Sequence, residues 1–194
     1  MSRIDDILGF WLEETPSKYW YQPGEGIDDR IRALFAADWG RAVTGQLAGW
    51  TGTPRGALAY IILTDQFPRN MFRGRALSFA SDDLGLAAAR AAVDAGHDLA
   101  FPMPARQFFY LPFTHSENAD DQATCVRLIE ERVPEPEHIL HTRAHAKVIA
   151  DFGRFPFRNA ALGRVTTPGE QAFLDAGAYP GLVSRMRESH APDA

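Results

Sequence analysis

The stretch Ala-Tyr-Ile-Ile-Leu-Thr-Asp-Gln-Phe-Pro-Arg-Asn-Met-Phe-Arg-Gly, from Ala59 to Gly74, limits what this chain can fold into more than any other. Leu58, Ile61 and Ile62 fall at helical spacing on one face, and Asp65 continues that face one turn later. Thr53 followed by Pro54 is a start signal, a hydroxyl N-cap with proline at the first helical position. Pro68 has no N–H, and its ring would meet the Thr64 carbonyl in a continuing helix. The helix is therefore predicted to stop or kink near Phe67. Asp65 then occupies a last turn, where the helix dipole disfavours an anion. A carboxylate there wants a cation, and Arg69 and Arg73 follow one and two turns on as its expected partners. Two roles fit the cluster. Either the ion pairs fix the turn, or Asp65 holds the guanidiniums so that their remaining N–H groups grip an anionic ligand.

The rest of the chain carries the same helical signature. No segment alternates with period two, β-branched residues are thin and alanine is abundant. The expected fold is all-α, a single-domain array of seven to nine antiparallel helices joined by short turns. Ser2 is placed to cap a first helix striped by Ile4, Ile7, Leu8 and Trp11, and Ile27 to Trp39 reads as a second helix. Ser81 is placed as the N-cap of an alanine-rich helix that runs to Ala95 and closes on Gly96. Helices are also expected over Ala119–Val133 and Glu137–Phe152. Thr167-Pro168-Gly169-Glu170 stands in capping-box order before a last helix. One domain over residues 1–182 with a fraying polar tail over 183–194 is the expected organisation.

Composition removes several function classes. Net charge is −5 with dispersed basic residues, which argues against nucleic acid. No apolar run approaches the roughly 20 residues that span a bilayer. The N-terminus is acidic where a secretory signal is basic, and the single Cys125 excludes an internal disulfide framework. These features suit a soluble cytoplasmic protein. Thirteen phenylalanines and four tryptophans predict many aromatic contacts between helices.

Three further constellations bear on chemistry. His115, Glu117, Asp120 and Asp121 crowd one helix entry. The acids serve its positive end with Asn118 or Ser116 as cap, whereas His115 is left over as a general base or ligand. His141 and His145 are four apart on one helix face, an arrangement that binds metal only with further ligands; no HExxH or cysteine cluster supplies them. Arg154, Arg158 and Arg164 follow, interleaved with Phe155 and Phe157. The turn Asp65-Gln66-Phe67-Pro68-Arg69-Asn70 is echoed by Gly153-Arg154-Phe155-Pro156-Phe157-Arg158-Asn159. The echo is either convergent stop chemistry or two matching lips of one cleft.

Asp65 to Gly74, Phe108 to Glu117 and Phe152 to Asn159 resemble the motifs of the bacterial domain-of-unknown-function family 924, and the resemblance extends from Phe10-Trp11 to Glu170. It implies a TPR-like all-helical fold and no established activity. His115 and His145 match family positions, while Phe157 stands where the family usually has histidine. Two functions remain open. The first is a binding module for an anionic small molecule or peptide group, with Gln66, Arg69, Asn70, Arg73, Arg154, Arg158 and Asn159 as contacts. The alternative is a small hydrolase with His115 or His145 as base and Asp65, Glu117 or Asp121 as acidic partners. The sequence is silent on cofactor and oligomeric state.

Overall fold

The computed structural model describes residues 2–24 and 26–189, and every regular element among them is helical. The chain gathers into two compact units, residues 1–112 and 113–194.

The first unit contains α1 (Arg3–Leu8), α2 (Ile27–Val43), α3 (Pro54–Ile61), α4 (Phe67–Met71) and α5 (Asp82–Asp94). The expected caps at Ser2 and Thr53 form: the Ser2 hydroxyl accepts from the Asp5 N–H, and the Thr53 hydroxyl accepts from the Gly56 N–H. The apolar face read from Leu58, Ile61 and Ile62 is wider than expected. Every residue from Gly56 to Ile61 is buried, and α1 and α5 pack on this helix. A helix that is apolar all round belongs at the centre of its unit.

Of the stop or kink expected near Phe67, the stop does not occur, and the helix changes its winding just before Pro68. Residues Ile62–Gln66 widen into a π turn, in which the Phe67 N–H reaches back to the Ile62 carbonyl, and α4 continues with Pro68 in its first turn. Pro68 brings no N–H to the Thr64 carbonyl four residues back. The Ser81 hydroxyl donates to that carbonyl instead, at 2.6 Å, and accepts from Trp39 Nε1 at 2.9 Å. Ser81 does occupy the N-cap position of α5, but its hydroxyl makes no capping bond because it is engaged here. Helix α5 approaches the π turn closely through Gly85. A Cβ at Gly85 would lie 3.2 Å from Asp65 Cβ and 3.3 Å from Thr64 Oγ1. A second π turn, Gly9–Glu14, follows α1. Aromatic rings join the two turns, with Phe10 and Trp11 set edge-on to Phe67 at 6.2 and 5.4 Å, and Phe35 stacked on Phe67 at 4.9 Å. Such pairs add about 0.5–1.5 kcal/mol each beyond area burial.

Helix α6 (Leu111–His115) leads into the second unit, which holds α7 (Ala119–Arg132), α8 (Pro136–Phe152), α9 (Asn159–Leu162), α10 (Pro168–Asp175) and α11 (Ala178–Ser189). Helices α7 and α8 form a hairpin across a short Pro-rich turn, and α11 packs on α8. Ala144, Val148 and Ile149 of α8 bury against Phe155, Leu182 and Val183. The tail expected from residue 183 is therefore helical as far as Ser189, because Leu182 and Val183 anchor it; residues 190–194 lie outside the described residues.

Candidate functional site

In the first unit the Asp65–Arg73 turn is neutralised by carboxylates of its own unit. Arg69 grips Asp82 with both terminal nitrogens, at 2.9 and 3.0 Å, and lies 3.3 Å from the Asp65 carboxylate. Gln66 Nε2 donates to Asp65 Oδ2 at 2.5 Å. The expected Asp65–Arg73 pair does not form. Arg73 instead takes both oxygens of Asp28, at 2.6 and 3.2 Å, and Asn70 donates to the same carboxylate at 2.9 Å. Both guanidiniums of this turn are thus already paired with carboxylates. Asp28 was not legible as a partner, since 45 residues separate it from Arg73.

The second unit brings three segments together around the 153–170 turn. Helix α8 ends at Gly153, whose φ of 67° is the left-handed cap that glycine adopts without strain. Arg154 then forms a two-pronged pair with Glu170, Nε to Oε1 at 2.5 Å and Nη2 to Oε2 at 2.9 Å. Glu170 also accepts from the Thr167 N–H, completing the capping box of α10. Arg154 and the Thr167 cap together hold its carboxyl down, at about 2. Asn159 donates to Thr166 Oγ1 and Glu170 Oε2, both at 3.3 Å. The Asn159 Oδ1 atom is buried and accepts no hydrogen bond among the described residues.

Glu117 ties the 113–121 segment to this turn. Its Oε1 accepts from the Phe155 N–H and from Arg164, both at 2.9 Å, and Oε2 lies 2.8 Å from Arg164. Burial works against its ionisation, yet these donors prevail and its carboxyl lies below the usual range. Arg158 is 7% exposed, donates to the His115 carbonyl at 2.9 Å and places its guanidinium 4.6 Å above the Phe155 ring. Asp121 accepts from the Ser116 hydroxyl at 2.6 Å, and Asn118 supplies the cap of α7. Gln122 Nε2 meets the carbonyls of Phe113, Thr114 and Ser116 at 3.1, 2.8 and 2.7 Å, which fixes the chain on both sides of His115.

His145 faces this assembly from α8. Its Nδ1 lies 2.9 Å from the His141 carbonyl. A carbonyl only accepts, so Nδ1 carries a proton. No described residue donates to Nε2, and the residue is only half-buried. The His145 ring lies 4.3 Å from Tyr179 and 5.7 Å from Phe155, and Phe157 closes the row, 42% exposed. Burial pushes the His145 pKa down to about 3; the bond to the His141 carbonyl opposes this, and the positive charges of His115, His141 and Arg158 add to it. His145 is thus neutral at ordinary pH. Tyr179, which sequence reasoning missed, orders the neighbouring His141 through a 2.6 Å hydrogen bond to Nδ1, while Glu137 lies 3.1 Å from Nε2. Only its aromatic character after Gly177 was available as a signal. Of the candidate residues read from the sequence, His115, Glu117, Asp121, His145, Arg154, Arg158 and Asn159 share the second unit, and Asp65, Gln66, Arg69, Asn70 and Arg73 share the first.

Among the described residues, no group of three or more His, Cys, Asp or Glu side chains is arranged to hold a metal ion, and no helix is long and apolar enough to cross a membrane. No curated protein matches the chain. A solved structure of a protein of unknown function, ATU0120 from Agrobacterium tumefaciens, is similar to it with 36% identity and a TM-score of 0.84, over 90% of this chain and 97% of that one. The family model for bacterial proteins of unknown function DUF924 matches residues 7–178, and the chain belongs to that family.

Proposed function

We propose that this protein is a TPR-like helical binding module that takes an acidic group of a small molecule or peptide in the second unit, at the corner formed by His145, Tyr179, Phe157 and the Arg158 turn. The observation that carries the reading is the His145 imidazole, held by its Nδ1 bond to the His141 carbonyl and packed on the Tyr179 ring, with Arg158 among the charges that act on it. Oriented polar atoms beside cations and half-open aromatic rings are typical of ligand sites. A cytoplasmic setting suits the lone buried thiol of Cys125. The first unit is the weaker place for an anion, because Arg69 and Arg73 are already engaged by carboxylates.

The hydrolase alternative has less support. A general base works best with a pKa near the operating pH, and His145, at about 3, is far from it. No described carboxylate bonds to its ring.

The test is a panel of carboxylates, phosphate esters and short peptides, followed through the imidazole nitrogen signals of His145 in the full chain. Binding moves Nε2 and is lost in His145→Asn, which preserves a donor near the His141 carbonyl but removes Nε2. A panel in which no compound moves His145 refutes the reading.

A further inference from the structure

We infer that Tyr179 is an acyl acceptor, its phenol oxygen attacking small apolar esters while His141 takes the proton. The inference goes beyond the binding reading and needs no anion at His145. Three side chains stand in line. The Tyr179 hydroxyl lies 2.6 Å from His141 Nδ1, and Glu137 Oε1 lies 3.1 Å from Nε2 of the same ring. Arg187 holds that carboxylate from α11. A carboxylate only accepts, so Nε2 carries a proton, and in the neutral ring Nδ1 is left to accept from the phenol. The His141 carbonyl is the hydroxyl's other acceptor, but at 3.4 Å it is the longer contact. A hydroxyl, an imidazole and a carboxylate joined in this order are the parts of an activated nucleophile.

The backbone before the tyrosine is strained. Ala178 has φ 50° and is the only non-glycine residue at positive φ among the described residues, next to Gly177 at φ 90°. Residues held in that region concentrate at functional sites. Tyr179 and His141 are both half-buried, which leaves the hydroxyl within reach of a small ester. Phe157, 42% exposed and with its ring 6.5 Å from that of Tyr179, gives an apolar wall for the body of the ester. Burial, and then the Glu137 charge, push the phenol pKa up, so the proton must leave as the bond forms. In the step, the Tyr179 oxygen bonds to the ester carbonyl carbon and the bond from that carbon to the aryloxy oxygen breaks. The phenol proton passes through His141 Nδ1 to the departing aryloxide. Water, deprotonated by His141 in turn, then splits the tyrosyl ester into a carboxylic acid and free Tyr179.

Para-nitrophenyl acetate tests this on the full chain, through nitrophenol release and mass spectrometry of acid-quenched digests. Acetyl is expected on Tyr179 well ahead of Tyr21, which at 58% exposed is open to the reagent but has its hydroxyl bonded to Gln107. Tyr179→Phe is expected to abolish the release. His141→Gly is expected to slow it about a hundredfold, and added imidazole to restore it, which a merely structural histidine would not allow. That restoration is expected to be absent from the Tyr179→Phe, His141→Gly double variant. Glu137→Gln, which keeps an acceptor for Nε2, is expected to retain more of the rate than Glu137→Leu, and equal rates in the two overturn the part given to that carboxylate. Release that survives Tyr179→Phe, acetyl that appears on Tyr21 ahead of Tyr179, or a folded His141→Gly that imidazole does not restore overturns the inference. Each outcome is read without an anionic ligand, so none of them bears on the binding reading.

Discussion

Replacing Ser81 by alanine tests how the central helix passes through Pro68. The substitution removes the hydroxyl that donates to the Thr64 carbonyl at 2.6 Å and accepts from Trp39 Nε1. Thr64 and Ser81 are both buried, so water does not replace the lost donor. An orphaned buried acceptor costs about 1–3 kcal/mol. Trp39 is only half-buried, and its indole N–H can turn to solvent, adding little. The expected loss is about 2 kcal/mol, dominated by the carbonyl, or roughly 4–8 °C in Tm for a chain of this size. Urea unfolding followed by circular dichroism measures it, with the slope unchanged. The decisive arm is the same substitution in a Pro68→Ala background. There residue 68 regains an N–H four residues on from Thr64, and the cost of losing Ser81 is expected to fall by about 1 kcal/mol or more. An equal cost in both backgrounds would refute the reasoning, because Ser81 would then not be serving the donor that proline lacks.

Gly153→Ala forces a Cβ onto a residue at φ 67° and is expected to destabilise by about 1–2 kcal/mol, measured by the same denaturation. Thr167→Ala removes the hydroxyl that accepts from the Glu170 N–H and is expected to cost about 1 kcal/mol. The acid limb of the stability profile follows from the histidine. His145 binds a proton less readily folded than unfolded, so the unfolded chain holds more protons between pH 6.5 and about 3. Its contribution is complete above that window and declines as pH falls through it. Glu117 and Glu170, both held below 4.5, add a further loss at still lower pH. In His145→Asn the decline between pH 6.5 and 4.5 is expected to flatten in a Tm-against-pH series, and an unchanged slope would count against a depressed His145.

What could be read from the sequence was local. Caps at Ser2, Thr53, Asn118 and Thr167 depend on neighbours two or three residues away, and each formed as the residue types dictate. Helical periodicity and the lack of alternation led directly to the all-α class. The passage through Pro68 was hidden because apolar spacing says nothing about where a carbonyl finds its donor, and Ser81 lies 17 residues on. The arginine echo was visible as a pattern, but its charge balance was not. Whether Arg73 meets Asp65 or Asp28 is decided by the packing of α2 against α4, which no single-chain spacing reveals. His145 was legible as a helix-face histidine, whereas the proton on its Nδ1 emerged only from the carbonyl beside it.

The proposed site stands or falls with the state of one imidazole. Long-range proton–nitrogen correlation spectra of the nitrogen-15-labelled full chain, recorded from pH 4.5 to 8, read it directly. A pyridine-type Nε2 and a protonated Nδ1 are expected on His145 throughout, with no titration in that range. A His145 that titrates near 6.5, or that carries its proton on Nε2, would overturn the site.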